Sequence, residues 1–143
     1  MSTKGKAKVL AVDDKKNIVR LIQVNLEKAG YEVTPAYNGA EALRRVQMEK
    51  PDLIILDVMM PAKDGFETLK ELKEDPNTRD IPVIMLTAKA QDADVFKGWQ
   101  SGCDCYLTKP FNPSELLMYV DRILGFKSET SDKAPDGGQY YEI

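Results

Sequence analysis

Five polar residues that could bind a metal ion or a phosphate group follow apolar runs of the chain, either directly or one turn later. They are Asp13, Asp14, Asp57, Thr87 and Lys109. Three carboxylates brought within about 5 Å of one another would repel by roughly 3 kcal/mol per pair at an effective dielectric constant near 20. Such a cluster needs a cation, and an all-oxygen ligand set that keeps several waters and a phosphate oxygen favours Mg²⁺ over Ca²⁺. The sequence therefore predicts a magnesium site wherever the fold gathers these aspartates.

A lysine and a threonine in the same pocket would bind a phosphoryl group. Lys109 offers a point charge, while the Thr87 hydroxyl and the following backbone N–H of Ala88 can donate hydrogen bonds. The chain contains no histidine, which excludes Ser-His-Asp and Cys-His nucleophiles and phosphoryl transfer through an imidazole of this protein. A carboxylate is the remaining acceptor, and Asp57 ends the most apolar run. We therefore predict that Asp57 is phosphorylated.

The composition indicates one globular domain. The 143 residues are 43% hydrophobic and 30% charged, with a net charge of -3, and the scattered Lys and Arg residues disfavour nucleic-acid binding. The longest apolar run cannot span a membrane, and no apolar stretch follows the lysines near the start, so we expect a cytoplasmic protein without membrane insertion. Cys103 and Cys105 are too close in sequence for a useful disulfide, and a zinc site would need more ligands.

Short apolar runs alternate with longer segments of helical period, a pattern typical of βαβ units around a parallel sheet. The predicted strands cover residues 9–12 (β1), 31–36 (β2), 52–57 (β3), 81–86 (β4) and 105–107 (β5). Five helices are predicted between and after the strands. The first has an apolar stripe from 18 to 29 and ends at Gly30 (α1), and the second begins at Asn38-Gly39 and ends before Pro51 (α2). The third follows Gly65 and ends near 75–77 (α3), a fourth with poor helix propensity covers about 92–100 (α4), and the last runs from the Asn112 N-cap to Gly125 (α5). Glu115 occupies the position that a capping box would use in α5.

The topology follows from where the polar residues collect. β3 is apolar on both faces, as a central strand should be, whereas Pro35 suits an edge position for β2. Every strand except β2 carries polar residues at its carboxyl end, and parallel sheets bind ligands where the winding direction reverses. We therefore predict an α/β doubly wound sheet of order 2-1-3-4-5, with the site between β1 and β3.

Taken together, these residues resemble the response-regulator receiver domains of two-component signal transduction, in particular single-domain chemotaxis regulators. The motifs are Asp13-Asp14, Asp57 with Met59-Met60-Pro61 and Asp64-Gly65, Thr87-Ala88, Tyr106, and Lys109-Pro110-Phe111. Jointly they are far more specific than any one of them. The resemblance implies a flavodoxin-like (βα)5 fold, with a receiver domain at 8–126, a flexible N-terminus at 1–7 and a flexible tail or linker at 127–143.

The resemblance also implies a role for each motif. Asp57 would accept a phosphoryl group from a histidine of a sensor kinase or a histidine phosphotransfer protein. Asp14 would bind Mg²⁺ directly, Asp13 mainly through water, and Met59 through its backbone carbonyl. Lys109 would pair with the bound phosphoryl group, before a cis Lys109-Pro110 peptide. The protein would assist its own phosphorylation and dephosphorylation as a signalling module rather than act as an enzyme.

In the family, the switch consists of a hydroxyl and an aromatic ring. Thr87 would move toward the phosphoryl group and vacate space into which the ring of Tyr106 can turn, changing the α4-β5-α5 face that binds a downstream effector protein. A bias of a few kcal/mol between two existing arrangements is enough.

Several alternatives remain open from the sequence. Asp13 and Asp14 alone could cap α1, Lys109 alone could be a solvated surface lysine, and Tyr106 could be ordinary packing. The chain could be a stand-alone regulator, or a receiver fragment of a larger response regulator or hybrid kinase. An aspartate-nucleophile phosphohydrolase ranks low, because its second carboxylate would stand where Met59 does.

Overall fold

Five parallel strands form a single sheet in the predicted order β2-β1-β3-β4-β5. A computed structural model describes residues 7–61, 63–87 and 102–125. The strands are β1 (Lys8–Val12), β2 (Glu32–Ala36), β3 (Leu53–Asp57), β4 (Val83–Thr87) and β5 (Cys105–Thr108). Their bounds differ from the predicted ones by one or two residues, because hydrophobic periodicity locates a strand better than its ends.

Four helices flank the sheet in the described part of the chain. They are α1 (Lys16–Lys28), α2 (Gly39–Glu49), α3 (Gly65–Glu74) and α5 (Pro113–Leu124). The buried residues of α1 and α5 share one apolar cluster with the sheet, and those of α2 and α3 share a second cluster on the opposite face. This is the predicted doubly wound α/β fold. The predicted α4 and the two predicted flexible ends, apart from Ala7, lie outside the described residues.

Strand β3 is the centre of the core. All five of its residues are buried, and their side chains alternate between the two clusters, Leu53 and Ile55 on the α1 side, Ile54 and Leu56 on the α2 side. A strand buried on both faces must be apolar on both faces, because an unpaired polar side chain there would lose its hydration. The prediction of a central β3 is confirmed, and its single charged residue, Asp57, stands at its carboxyl end.

Strand β2 forms one edge of the sheet, as Pro35 indicated. The Glu32 N–H donates to the carbonyl of Ala7 in front of β1, so alternate residues from Glu32 point their N–H groups toward β1. Pro35 therefore lies in the outward-facing set, where its missing N–H costs no ladder bond. The next outward N–H, that of Tyr37, donates to the Glu41 side chain. The edge thus exposes few free donors.

The helix ends differ in one respect from the sequence expectation. The capping box occurs at α3, where the side chains of Asp64 and Glu67 and the two backbone N–H groups bond reciprocally. At α5 the Asn112 side chain accepts from the N–H of Ser114, and the Glu115 carboxylate accepts from the Tyr119 hydroxyl. In α5 the Glu115 carboxylate is therefore engaged with Tyr119, one turn further along the helix.

Candidate functional site

The three predicted aspartates meet at the carboxyl end of the sheet. β1 and β3 are neighbours paired as far as Val12 and Leu56, so the residues that follow these two come side by side. Asp13 and Asp57 are 0% and 1% exposed, and one carboxylate oxygen from each of Asp13, Asp14 and Asp57 lies within 4.8 Å of the others. The predicted cluster therefore exists, between β1 and β3.

Backbone contacts around β1 fix the first of these carboxylates. The Asp13 N–H donates to the carbonyl of Ala36 at 3.1 Å, and Asp13 Oδ1 accepts from the N–H of Lys15 at 2.9 Å. Within the described part of the chain, the N-cap of α1 is Lys15 and no side-chain hydrogen bond caps this helix. The alternative that Asp13 and Asp14 cap α1 is therefore wrong, and both carboxylates face the site.

Lys109 reaches the same pocket from the end of β5. Its backbone N–H donates to the carbonyl of Thr87 at 2.6 Å, which attaches the turn after β5 to the end of β4. Its Nζ lies 2.9 Å from Asp13 Oδ2 and 3.1 Å from Asp57 Oδ1. The Lys109-Pro110 peptide is cis. The alternative that Lys109 is a solvated surface lysine is therefore wrong.

The charges of the pocket are strongly coupled. Burial, and next the charge of Asp13, raise the pKa of Asp57 to about 6, although Lys109 acts in the opposite direction. Burial by itself would lower the pKa of Lys109, but its hydrogen bond to Asp13 and the charge of Asp57 outweigh that effect and raise it. One lysine is thus shared between two buried carboxylates, and a third carboxylate lies beside them.

Three carboxylate oxygens of the site lack a hydrogen-bond donor among the described residues. Asp57 Oδ2 and Asp14 Oδ1 are buried without a hydrogen-bond partner among the described residues, although Asp14 Oδ1 lies 3.7 Å from the Lys15 ammonium group. Asp57 Oδ1 has the ion pair with Lys109 but not the angle of a hydrogen bond. Buried anionic oxygens without donors are costly, and a hard divalent cation with oxygen ligands would satisfy them. The residues present fit Mg²⁺.

A short loop carrying Met59 continues from Asp57. It is closed at its neck, where the Val58 carbonyl accepts from the N–H of Gly65 at 2.9 Å. A Cβ atom on Gly65 would lie 2.2 Å from the Asp57 carbonyl oxygen, so the first residue of α3 approaches the backbone of Asp57 as only glycine can. Met59 lies within this loop with its side chain 66% exposed, beside the aspartates.

Thr87 is the last residue of β4, and Tyr106 is the second residue of the neighbouring strand β5. Both are 3% exposed. Tyr106 pairs with Met85 in the register of the two strands, and it belongs to the apolar cluster on the α2 side of the sheet. Ala88, whose N–H was predicted to bind the phosphoryl group, lies outside the described residues.

The reading of the sequence missed two contacts of the site. The α3 capping box fixes the far end of the Met59 loop, and its signal was present as Asp64 followed three residues later by Glu67. The N–H of Lys15, which donates to Asp13, had no sequence signal, because any residue type supplies a backbone N–H.

None of the helices in residues 7–61, 63–87 and 102–125 has the length and apolarity that crossing a bilayer requires.

Comparisons with known proteins agree on one family. A family model for the response regulator receiver domain matches residues 9–121. The chain is 48% identical over 117 residues to the alkaline phosphatase synthesis transcriptional regulatory protein PhoP of Bacillus subtilis (strain 168), covering 82% of this chain and 48% of PhoP. It is 41% identical to the DNA-binding dual master transcriptional regulator RpaA of Synechocystis, covering 95% of this chain and 55% of RpaA. The chain thus spans about half the length of these curated relatives.

Solved structures with the same fold are also similar in sequence. The chemotaxis protein CheY4 of Vibrio cholerae superposes with a TM-score of 0.80 at 40% identity, covering 84% of this chain and 100% of CheY4. The BeF3-activated DrrB receiver domain superposes with a TM-score of 0.74 at 38% identity, covering 84% of this chain and 98% of that one.

Proposed function

This chain belongs to the family of response regulator receiver domains of two-component systems, and from that premise we propose that Asp57 is its phosphoacceptor and that phosphorylation controls its binding to other proteins. The observation that carries the proposal is the cluster of three carboxylates within 4.8 Å, whose buried Asp57 lies 3.1 Å from the ammonium group of Lys109. A buried cluster with more negative than positive charge is suited to bind a cation together with a phosphoryl group.

Asp57 would act as the nucleophile in an in-line displacement. A carboxylate oxygen attacks phosphorus, the bond between phosphorus and the donor's histidine nitrogen breaks, and that nitrogen keeps the electron pair. The donor ring, protonated beforehand on its other nitrogen, leaves as neutral imidazole. Catalysis by the protein is then mainly positioning and charge neutralisation. The raised pKa of Asp57, about 6 through burial and the charge of Asp13, still leaves this carboxylate ionised at neutral pH, as an attacking group must be.

Mg²⁺ would be held by the carboxylates of Asp14 and Asp57 and the carbonyl of Met59, with Asp13 acting through water. When bound, the ion supplies positive charge that offsets the carboxylates and the phosphoryl oxygens. The four residues offer only oxygen ligands, the preference of a hard cation.

Lys109 and Thr87 would bind the phosphoryl oxygens. Lys109 is hydrogen-bonded to Asp13 and ion-paired with Asp57, so in the proposed reaction its ammonium group passes from carboxylates to a phosphoryl oxygen at little cost in reorganisation. The backbone N–H of Ala88 would be a further donor. Slow hydrolysis of the acyl phosphate at the same site would return the protein to its resting state.

Thr87 and Tyr106 would transmit the change. The Lys109 N–H bonds to the Thr87 carbonyl, so the phosphoryl-binding lysine and the switch threonine are directly connected. Because Tyr106 pairs in register with a residue two positions before Thr87, movement of the Thr87 hydroxyl would change the packing of the neighbouring strand. The α4-β5-α5 face would be the surface read by an effector protein.

The phosphoryl donor would be a histidine of a sensor kinase or phosphotransfer protein, and two arrangements of output are compatible with this site. A stand-alone regulator would act through partner contact. A receiver fragment would act on further domains of a longer response regulator or hybrid kinase. Similar proteins of both lengths occur, since the chain covers about half of PhoP and RpaA but all of CheY4. Both arrangements use the same chemistry at Asp57.

The test is phosphorylation with acetyl phosphate and Mg²⁺, followed by intact-protein mass spectrometry and peptide mapping. We expect one acid-stable, base-labile phosphoryl group on wild type and none on Asp57→Asn. Asp52→Asn is the matched control, because Asp52 is an exposed aspartate at the opposite end of β3. Labelling that persists in Asp57→Asn would refute the assignment.

A second variant separates binding from response. Lys109→Ala is expected to bind Mg²⁺ with at least wild-type affinity, because a competing positive charge is removed. Beryllofluoride, a mimic of the phosphoryl group, should then fail to change the α5 resonances in NMR spectra. A normal spectral response in Lys109→Ala would contradict the role of this lysine in the switch.

A further inference from the structure

Lys63 holds the α3 side of the Met59 loop through contacts that none of the roles above uses. The neck of the loop is closed by the bond between Val58 and Gly65, and beside the neck the α3 capping box fixes Asp64. Lys63 directly precedes Asp64 in the loop. Its ammonium group pairs with the carboxylate of Glu71, two turns into α3.

The aliphatic part of Lys63 lies against α2. A Cβ atom built on Gly39 would be 2.9 Å from Lys63 Cδ and 2.4 Å from Thr68 Oγ1. Gly39 therefore leaves a groove at the first residue of α2, and the Lys63 stem occupies it. Long cationic side chains commonly bury their methylene groups in this way while the charged end remains in solvent.

Lys63 thus connects the loop to both helices on this face of the sheet. A solvent-exposed ion pair contributes little by itself, but a side chain held at its stem and at its end has few alternative positions. Mutation of a residue that hydrogen-bonds and orients a metal ligand typically changes metal affinity by 10- to 100-fold, and Lys63 would act one step further away, through the loop backbone. The loop residue with a metal-binding role in the proposed function, Met59, lies four positions away.

We propose that Lys63 is a positioning residue for the magnesium site: its packing on Gly39 and its pairing with Glu71 fix the loop that carries the Met59 carbonyl. The inference rests on the proposed function of that carbonyl. It assigns no contact between Lys63 and the metal or the phosphoryl group.

The sign of the effect distinguishes positioning from plain electrostatics. Removing a positive charge near a cation site should by itself strengthen cation binding. Removing a positioning side chain should weaken it. We therefore compare Mg²⁺ dissociation constants, measured by isothermal titration calorimetry on the full chain, for wild type, Lys63→Ala, Lys63→Met and Lys63→Arg. Lys70→Ala is the matched control, because Lys70 is an exposed lysine of α3.

We expect Lys63→Ala to weaken Mg²⁺ binding by about three- to tenfold, less than the roughly 10- to 100-fold typical of groups bonded directly to a metal ligand, because Lys63 acts through the loop backbone. Lys63→Met keeps the aliphatic stem and should lose less Mg²⁺ affinity than Lys63→Ala. Lys63→Arg should bind Mg²⁺ within about twofold of the wild-type affinity. Hydrogen exchange in the absence of Mg²⁺ should be faster at the amides of 59–64 in Lys63→Ala, with unchanged exchange in β3. Lys70→Ala should leave both measurements unchanged.

Mg²⁺ binding by Lys63→Ala that equals or exceeds wild-type affinity would overturn the inference, provided wild type binds Mg²⁺ and is labelled on Asp57. If Lys63→Ala does not fold, Lys63→Met answers the same question because it retains the packing on Gly39. If wild type neither binds Mg²⁺ nor accepts a phosphoryl group, the proposed function fails, and this inference fails with it.

Discussion

Carboxylates are buried at both ends of the sheet, but the groups that contact them differ. At the amino end, the hydroxyl of Tyr31 donates to Asp121 of α5, and both residues are buried. At the carboxyl end, one lysine is shared between Asp13 and Asp57.

The two ends differ in how far the protein itself compensates the buried charge. At the amino end one carboxylate faces a phenol donor, and burial followed by the bond to Asp121 raises the pKa of Tyr31 far above its ordinary range, which keeps the phenol a donor. At the carboxyl end three carboxylates lie within 4.8 Å of one another, and Lys109 pairs with two of them. A cluster that the protein itself does not neutralise is the one suited to bind a ligand.

We expect the largest loss of stability from a substitution that creates a steric clash at the carboxyl end of the sheet. Gly65→Ala would place a methyl group 2.2 Å from the Asp57 carbonyl oxygen, and neither backbone can yield without moving β3 or α3. We expect a loss of about 3 kcal/mol or more in the free energy of unfolding, measured with urea.

The control for that change is Gly125→Ala. Gly125 has φ 84 and no described atom within 4 Å of an added Cβ, so only backbone strain should cost stability, about 1–2 kcal/mol. Equal losses in the two variants would show that the close approach of Gly65 is unimportant.

Mg²⁺ should stabilise the folded protein only through the site at the carboxyl end of the sheet. At a concentration of 100 times the dissociation constant it should raise the free energy of unfolding by about 2.7 kcal/mol. The increment should persist in Tyr31→Phe and fall in Asp14→Ala. If Mg²⁺ raised the free energy of unfolding equally in wild type and Asp14→Ala, the proposed role of Asp14 as a metal ligand would be contradicted.

Removing the donor at the amino end tests the other half of the comparison. Tyr31→Phe leaves the buried carboxylate of Asp121 without the phenol, and we expect a loss of about 2 kcal/mol in urea unfolding. The double variant Tyr31→Phe/Asp121→Asn should lose less than the sum of the single changes, since the two residues interact. Additive losses would contradict their coupling.

The smallest effect is a gain in stability. The raised pKa of Asp57 means that folding favours its protonated form, a contribution present below pH 3.8 and lost as the pH rises through about 6. Asp57→Asn avoids this loss. We expect the free energy of unfolding of Asp57→Asn to exceed that of wild type by about 1 kcal/mol at pH 7 without Mg²⁺, less than the full pKa shift implies, since Lys109 loses an ionic partner.

The pH dependence provides the check on this last prediction. The difference between Asp57→Asn and wild type should grow between pH 4 and 6 and then remain constant, in urea titrations at fixed ionic strength. A difference that is independent of pH would mean that the ionisation of Asp57 does not limit stability.

Local patterns in the sequence predicted most of the architecture. The apolar runs located the strands, the two-sided apolar pattern of β3 placed it at the centre, and Pro35 marked the edge. These features are predictable because periodicity and the missing N–H of proline act over a few residues. The capping box at α3 had an equally local signal that the reading of the sequence overlooked.

The sequence by itself determined which chemistry was available: acidic residues at strand ends, one lysine after β5, and no histidine. Only the tertiary structure decided that Lys109 pairs with both Asp13 and Asp57, that Gly65 touches the backbone of Asp57, and that Tyr31 meets a carboxylate 90 residues away. These contacts depend on distances of a few tenths of an ångström between separate segments. Such distances are set by the packing of the whole core and by no local pattern of residues.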